Sequence, residues 1–126
     1  MDAAGLAAYL SANKGTPTLV MIWTTWCPSC KQQLPELEQL ARTHGDKVNI
    51  LAMSLDEKRS ALEKYLARKP LDLAVAWGDQ QIGRDNNVEA IPTLLIFDKT
   101  GTRIFGQAGV FPASMLGAMA DKLAAE

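Results

Sequence analysis

Trp23-Thr24-Thr25-Trp26-Cys27-Pro28-Ser29-Cys30 is the stretch on which the fold of this chain turns. It holds the only two cysteines among 126 residues, spaced CxxC, and two structural patterns meet there. Ahead of it, Leu19-Val20-Met21-Ile22-Trp23 is a continuous apolar run, the pattern of a strand buried on both faces. Behind it, Cys30, Leu34, Leu37, Leu40 and Ala41 recur at helical spacing, so a helix opens at the cysteines. Pro28 suits the first helical position, where its missing N–H would have no partner anyway. Cys27 then falls at the N-cap, facing unpaired backbone N–H groups and the positive end of the helix dipole. Such a position favours a reactive thiolate. Cys30 lies one turn deeper on the same side and can close a small disulfide ring with Cys27. The stretch reads as a redox site.

Composition sets the frame around it. A chain of this length is expected to be one domain, residues 1–126, with a real hydrophobic core. Apolar residues make up 48% and charged residues 21%, ordinary for a soluble globular protein. The net charge is −1 with no basic block, so nothing points to nucleic acid or an anionic membrane. No apolar run approaches the roughly 20 residues of a membrane helix. Met1-Asp2-Ala3-Ala4-Gly5 shows neither a basic n-region nor a long apolar h-region, so no signal peptide is visible. Two cysteines are too few for a stabilising disulfide framework. As half of a zinc site the pair needs further ligands. The chain offers one histidine, His44, far along the same helix, and a metal-bridged dimer is the one zinc arrangement left.

In order, residues 3–12 carry Leu6, Ala7 and Leu10 at helical spacing before Asn13-Lys14-Gly15. Thr16-Pro17 leads into a first strand over 18–23. The helix from Pro28 reaches about His44, with Gly45 as C-cap and a kink expected at Pro35. Val48 to Met53 is a second strand. Ser54-Leu55-Asp56-Glu57 matches a capping box opening a helix with apolar Ala61, Leu62, Tyr65 and Leu66, ended by Pro70. Leu73 to Trp77 is a short strand and Ile82 to Asn87 a short helix. Ala90 to Phe97 is a strand entered through Pro92. Asp98-Lys99-Thr100-Gly101 is a hairpin turn, and Thr102 to Ala108 the antiparallel partner. Gly109-Val110-Phe111-Pro112 precedes a last helix bearing Met115, Leu116, Met119 and Leu123. This order implies an α/β fold, a mixed sheet with helices on both faces. Trp23 and Trp77 read as core. His44 reads as a helix-end residue, Glu36 and Glu38 as helix surface, and Asp79 and Gln80 as loop residues without a role.

Trp26-Cys27-Pro28-Ser29-Cys30 with Pro35, then Ile91-Pro92-Thr93, a hairpin, Gly109 and a terminal helix, resembles the thioredoxin fold over roughly residues 16–124. The extra helix and strand within 56–77 are similar to the insertion of the TlpA-like branch of bacterial thiol-disulfide oxidoreductases. The N-terminal hairpin usual in that branch is missing. Typical thioredoxins place a buried Asp where this chain has Met21, and many TlpA-like proteins a Glu where it has Gln33. The Pro28-Ser29 dipeptide is similar to glutaredoxin and DsbA patterns.

The resemblance implies that Cys27 is the nucleophile and Cys30 the resolving thiol, acting without a cofactor. Pro92 would be cis beside the sulfurs, Ile91 would pair with a substrate chain as an added strand, and Trp26 would cover one side. Pro28 and Ser29 would border the substrate, with Ser29 offering a weak hydrogen bond to the thiolate. Water or another group would carry the Cys30 proton. Implied partners are protein disulfides or oxidised thiols and a DsbD-type membrane electron donor, the chain acting as a monomer. The implied location is the periplasm or another extracytoplasmic space, with a membrane anchor in a full-length form as a variant and the cytoplasm as alternative. Ile91 before the proline resembles reducing members. A DsbA-like oxidant and a non-catalytic docking module using the Ile91–Pro92 edge stay as alternatives. A thiol peroxidase would carry proline at position 20, where this chain has Val20.

Overall fold

The apolar run becomes β1 (Thr18–Trp23), and every one of its six residues is buried. It is buried because it is central. β1 pairs in parallel with β2 (Asn49–Ser54) on one side and antiparallel with β4 (Thr93–Phe97) on the other. Outside them lie β3 (Ala74–Trp77), parallel to β2, and β5 (Arg103–Ala108), antiparallel to β4. The computed structural model describes residues 1–126 and gives the five-stranded order β3-β2-β1-β4-β5.

Alternation along the strands divides the core between the two faces. Leu19, Met21 and Trp23 face a cluster that includes Leu34, Leu37 and Leu40 of α2 (Pro28–His44). Leu62 and Tyr65 of α3 (Arg59–Arg68) and Leu116, Ala120 and Leu123 of α5 (Ala113–Ala125) complete that side. Val20 and Ile22 face the other cluster, with Leu6 of α1 (Ala3–Ala12) and Ile82 of α4 (Gln80–Asp85). The mixed sheet and two covered faces implied by the sequence are present. β3 and α3 form the additional strand and helix expected within 56–77, and β3 becomes an edge.

Several expectations shift, each for a physical reason. Ser54 to Glu57 do not open a helix: β2 runs through Ser54, and α3 starts at Arg59 with Lys58 as N-cap and no side-chain cap. Asp56 is drawn inward, where it accepts hydrogen bonds from Thr25 and Ser54. α4 starts at Gln80, earlier than expected, because Asp79 caps it by accepting from the Ile82 N–H at 3.0 Å. β4 starts at Thr93. α2 continues through Pro35, and the Gly45 N–H closes it onto Ala41 O. His44 reaches Asp121 of α5 at 3.1 Å, so it joins two helices. Glu36 and Glu38 also leave the surface role expected of them. Their carboxylates accept from the backbone N–H groups of Ala113 at 3.3 Å and Asp72 at 3.0 Å. At the hairpin, Gly101 takes φ +85°, and Asp98 accepts from Thr100 and Thr102, bonds that hold its carboxyl below the usual range.

Candidate redox site

β1 delivers the chain to the C-terminal edge of the sheet, where sites gather in α/β folds. Thr24-Thr25-Trp26 turns there, and the Cys27 N–H returns to Thr24 O at 3.4 Å. Cys27 is the N-cap of α2, in extended conformation, with Pro28 as the first helical residue. Its sulfur accepts the Cys30 N–H at 3.2 Å, the bond expected of an N-cap side chain. Both cysteines are free thiols. Cys27 keeps a 5% exposed edge, and Cys30 is fully enclosed. Burial, followed by the hydrogen bond to Cys27, pushes the Cys30 thiol from 9.0 up to about 12.

The second arm arrives from the loop before β4. The Ile91–Pro92 bond is cis. The Cys27 thiol lies 3.9 Å from Ile91 O and can donate to it. Ile91 makes no backbone–backbone hydrogen bond, so its N–H is free for an incoming strand and its carbonyl meets only the Cys27 thiol. The Gly109 N–H, at φ +136°, donates to Pro92 O at 2.9 Å and holds the loop from behind. Cys27, Cys30, Ile91 and Pro92 therefore converge. Trp26 stands beside them 69% exposed, more a free-standing apolar surface than a cover. Pro28 and Ser29 are exposed. The donor to the Cys27 sulfur is the Cys30 amide, and the Ser29 hydroxyl makes no hydrogen bond to it. No group of three or more His, Cys, Asp or Glu is placed to hold a metal.

Two buried polar residues take roles that the sequence did not assign them. Gln33 is fully buried. Its amide donates to Phe111 O at 2.9 Å and accepts from the Phe111 N–H at 2.6 Å, pairing like a strand residue. It ties the cysteine helix to the Phe111 loop, which Gly109 ties to Pro92. The signal was available: position 33 falls on the buried stripe 30-33-34-37-40, where a polar side chain needs partners. Gln33→Leu leaves both Phe111 groups without partners and should cost about 3 kcal/mol in urea unfolding. Gln33→Glu should be the milder change at pH 5 and the harsher at pH 8. Only the protonated carboxyl can still donate to Phe111 O, so its stability is lost as pH rises.

Asp56 is the other. It is 2% exposed and accepts from the Thr25 N–H at 2.9 Å, Thr25 Oγ1 at 2.5 Å and Ser54 Oγ at 2.7 Å. Its own carbonyl accepts the Trp77 indole N–H at 2.8 Å. The parallel register pairs Trp23 with Ser54, so Thr25 and Asp56 each stand two residues beyond a paired position. That shared offset was the signal for their meeting.

A thioredoxin-like family model matches residues 15–103, which include both cysteines and the cis proline. The chain belongs to the thioredoxin-like family. It is 36% identical to the thiol:disulfide interchange protein DsbE of Pseudomonas aeruginosa over 90 residues, covering 70% of this chain and 48% of that protein. A thioredoxin of Rhodospirillum rubrum is 32% identical over 100 residues, covering 79% and 75%. Among solved structures, a candidate thiol:disulfide interchange protein DsbE of Chlorobium tepidum superposes with TM-score 0.78 at 28% identity, covering 92% of this chain and 84% of that one. The chain thus spans about half the length of the Pseudomonas relative. Within the thioredoxin-like family the departures expected from the sequence hold in space. Met21 is fully buried in the apolar core, and Gln33 is spent on the Phe111 backbone.

Proposed function

We propose that this chain is a protein thiol-disulfide oxidoreductase whose Cys27–Cys30 dithiol reduces disulfides of protein clients. The observation that carries this reading is the division of labour between the thiols: Cys27 caps a helix beside the open Ile91 backbone, while Cys30 is enclosed and held protonated. The Cys27 thiolate attacks one sulfur of the client disulfide; a mixed disulfide forms and the client's other sulfur leaves as thiolate, taking up a proton. Cys30 then gives up its proton and attacks Cys27. The second client thiol is released, and the Cys27–Cys30 disulfide forms. The client gains two electrons from the dithiol and two protons, one given up by Cys30 and one taken from solvent. Trp26 and Ile91 supply apolar contact and strand pairing for the client, with Pro28, Ser29 and Pro92 bordering it.

Ile91 before Pro92 and the similarity to DsbE-named proteins support the reducing direction. The TlpA-like resemblance supports an extracytoplasmic location, a DsbD-type membrane protein as electron donor and action as a monomer. No helix of the chain is long and apolar enough to cross a membrane. The single sheet joined by all five strands supports reading residues 1–126 as one domain.

Equilibration with thiol buffers at a series of pH values tests the proposal. A potential near the roughly −270 mV of thioredoxin supports a reductant; one near about −120 mV, the DsbA range, makes it an oxidant. Burial favours the neutral form of Cys30, so in alkaline solution its one proton still accompanies the two electrons. The potential should then fall by about 30 mV per pH unit, a slope persisting toward pH about 12. A slope that flattens soon above pH 9.0 would remove the protonated Cys30.

A further inference from the structure

Beside the cysteines lies a recess of about 350 Å³ lined by Thr25, Lys31, Ala61, Tyr65, Arg68 and Lys69. Three of its six walls are cations and none is a carboxylate. Ala61, Tyr65 and Arg68 lie at successive helical spacings on one face of α3, and Lys31 comes across from α2. The Lys31 ammonium stands 5.9 Å from the centroid of the Tyr65 ring. Neither Lys31, Arg68 nor Lys69 is in an ion pair; the two ion pairs of the chain both fall on Asp121. Thr25 turns its N–H and hydroxyl to Asp56, so the polar side chains left to the recess are the three cations and Tyr65. The chain as a whole carries −1, so this convergence is a local field against a nearly neutral background.

Its position gives the field a use. Thr25 is two residues before Cys27, within about 7 Å along the chain, and Lys31 directly follows Cys30. A group held in the recess is therefore next to a disulfide under attack at Cys27. Resting on the reductase reading above, we infer that Lys31, Arg68 and Lys69 form a docking site for acidic side chains flanking the reactive cysteine of a protein client. Three separated cations around an open recess suit several carboxylates spread along a peptide. Opposed charge raises encounter rates by tenfold or more where screening is weak.

The test uses three synthetic peptides with one internal disulfide, identical except for Glu, Gln or Lys beside the cysteines. Each reacts once with the reduced full chain at low salt. The Glu peptide should react about tenfold faster than the Gln peptide, and the Lys peptide slower than either. The preference should collapse in about 1 M NaCl, where the Debye length is near 3 Å. In the triple variant Lys31→Gln, Arg68→Gln, Lys69→Gln, the Glu-to-Gln rate ratio should fall to about one at low salt. Equal rates for the three peptides, or a preference that survives in the triple variant, overturns the docking site while leaving the reductase reading standing. Failure to reduce even the Gln peptide overturns both. If inorganic phosphate suppresses the preference far more than chloride of equal ionic strength, the recess is a phosphate site, and the acidic client is abandoned.

Discussion

Cys27→Ser should abolish disulfide reduction, lowering the rate about a thousandfold or more, because a serine hydroxyl stays protonated where a capped thiol supplies thiolate. Cys30→Ser should do something different. The first attack should proceed within about tenfold of the native rate, since the backbone N–H that donates to the Cys27 sulfur at 3.2 Å is kept. The resolving attack has no sulfur, and the client stays bound as a mixed disulfide. Intact mass spectrometry after incubation of the reduced variant with a disulfide substrate reads this as an adduct released by dithiothreitol. The asymmetry follows from exposure: Cys27 has an open edge facing Ile91 O, whereas Cys30 is enclosed and its thiol pushed up to about 12. Turnover of insulin by Cys27→Ser, or an adduct on Cys30 in that variant, would reverse the two roles.

The parts of this site that depend on neighbours in sequence were legible there. An apolar run, a CxxC and a proline at the first helical position are local facts, and β1, the N-cap and α2 follow from them. The parts that depend on distant partners were not. Ser54-Leu55-Asp56-Glu57 has the spacing of a capping box, and nothing near it argues otherwise. What overrides the local pattern is Thr25, 31 residues earlier, whose N–H and hydroxyl find Asp56 only after β1 and β2 have paired in register. Gln33 is alike: the residue it replaces in many TlpA-like proteins drew attention to a missing charge, but its partner Phe111 lies 78 residues away. Nothing local in the sequence sets Lys31, Arg68 and Lys69 apart; only the packing of α2 beside α3 brings them around one recess.

Asp56→Ala should be among the most damaging changes outside the cysteines, destabilising the protein by about 3–5 kcal/mol. Removal of the carboxylate strands the Thr25 N–H, the Thr25 hydroxyl and the Ser54 hydroxyl at a nearly closed site, and each hydrogen bond to a charged group is worth about 1.5–3 kcal/mol. The hydroxyls can turn toward other acceptors, so the sum falls short of three full bonds. Against a total stability of about 5–15 kcal/mol, such a loss is large enough to read in urea unfolding. Asp56→Asn should cost less, about 1–2 kcal/mol, since its carbonyl oxygen still accepts from the Thr25 N–H and the Ser54 hydroxyl, and its amide can donate to the Thr25 hydroxyl. The functional consequence separates positioning from mere stability. Thr24 and Thr25 set the turn that carries Cys27 to the N-cap, and the Cys27 N–H rests on Thr24 O. A loosened turn should therefore slow alkylation of Cys27 in Asp56→Asn well below its unfolding midpoint, with the native rate regained by no amount of added stability elsewhere. An Asp56→Asn protein that alkylates at the native rate would confine Asp56 to holding the fold.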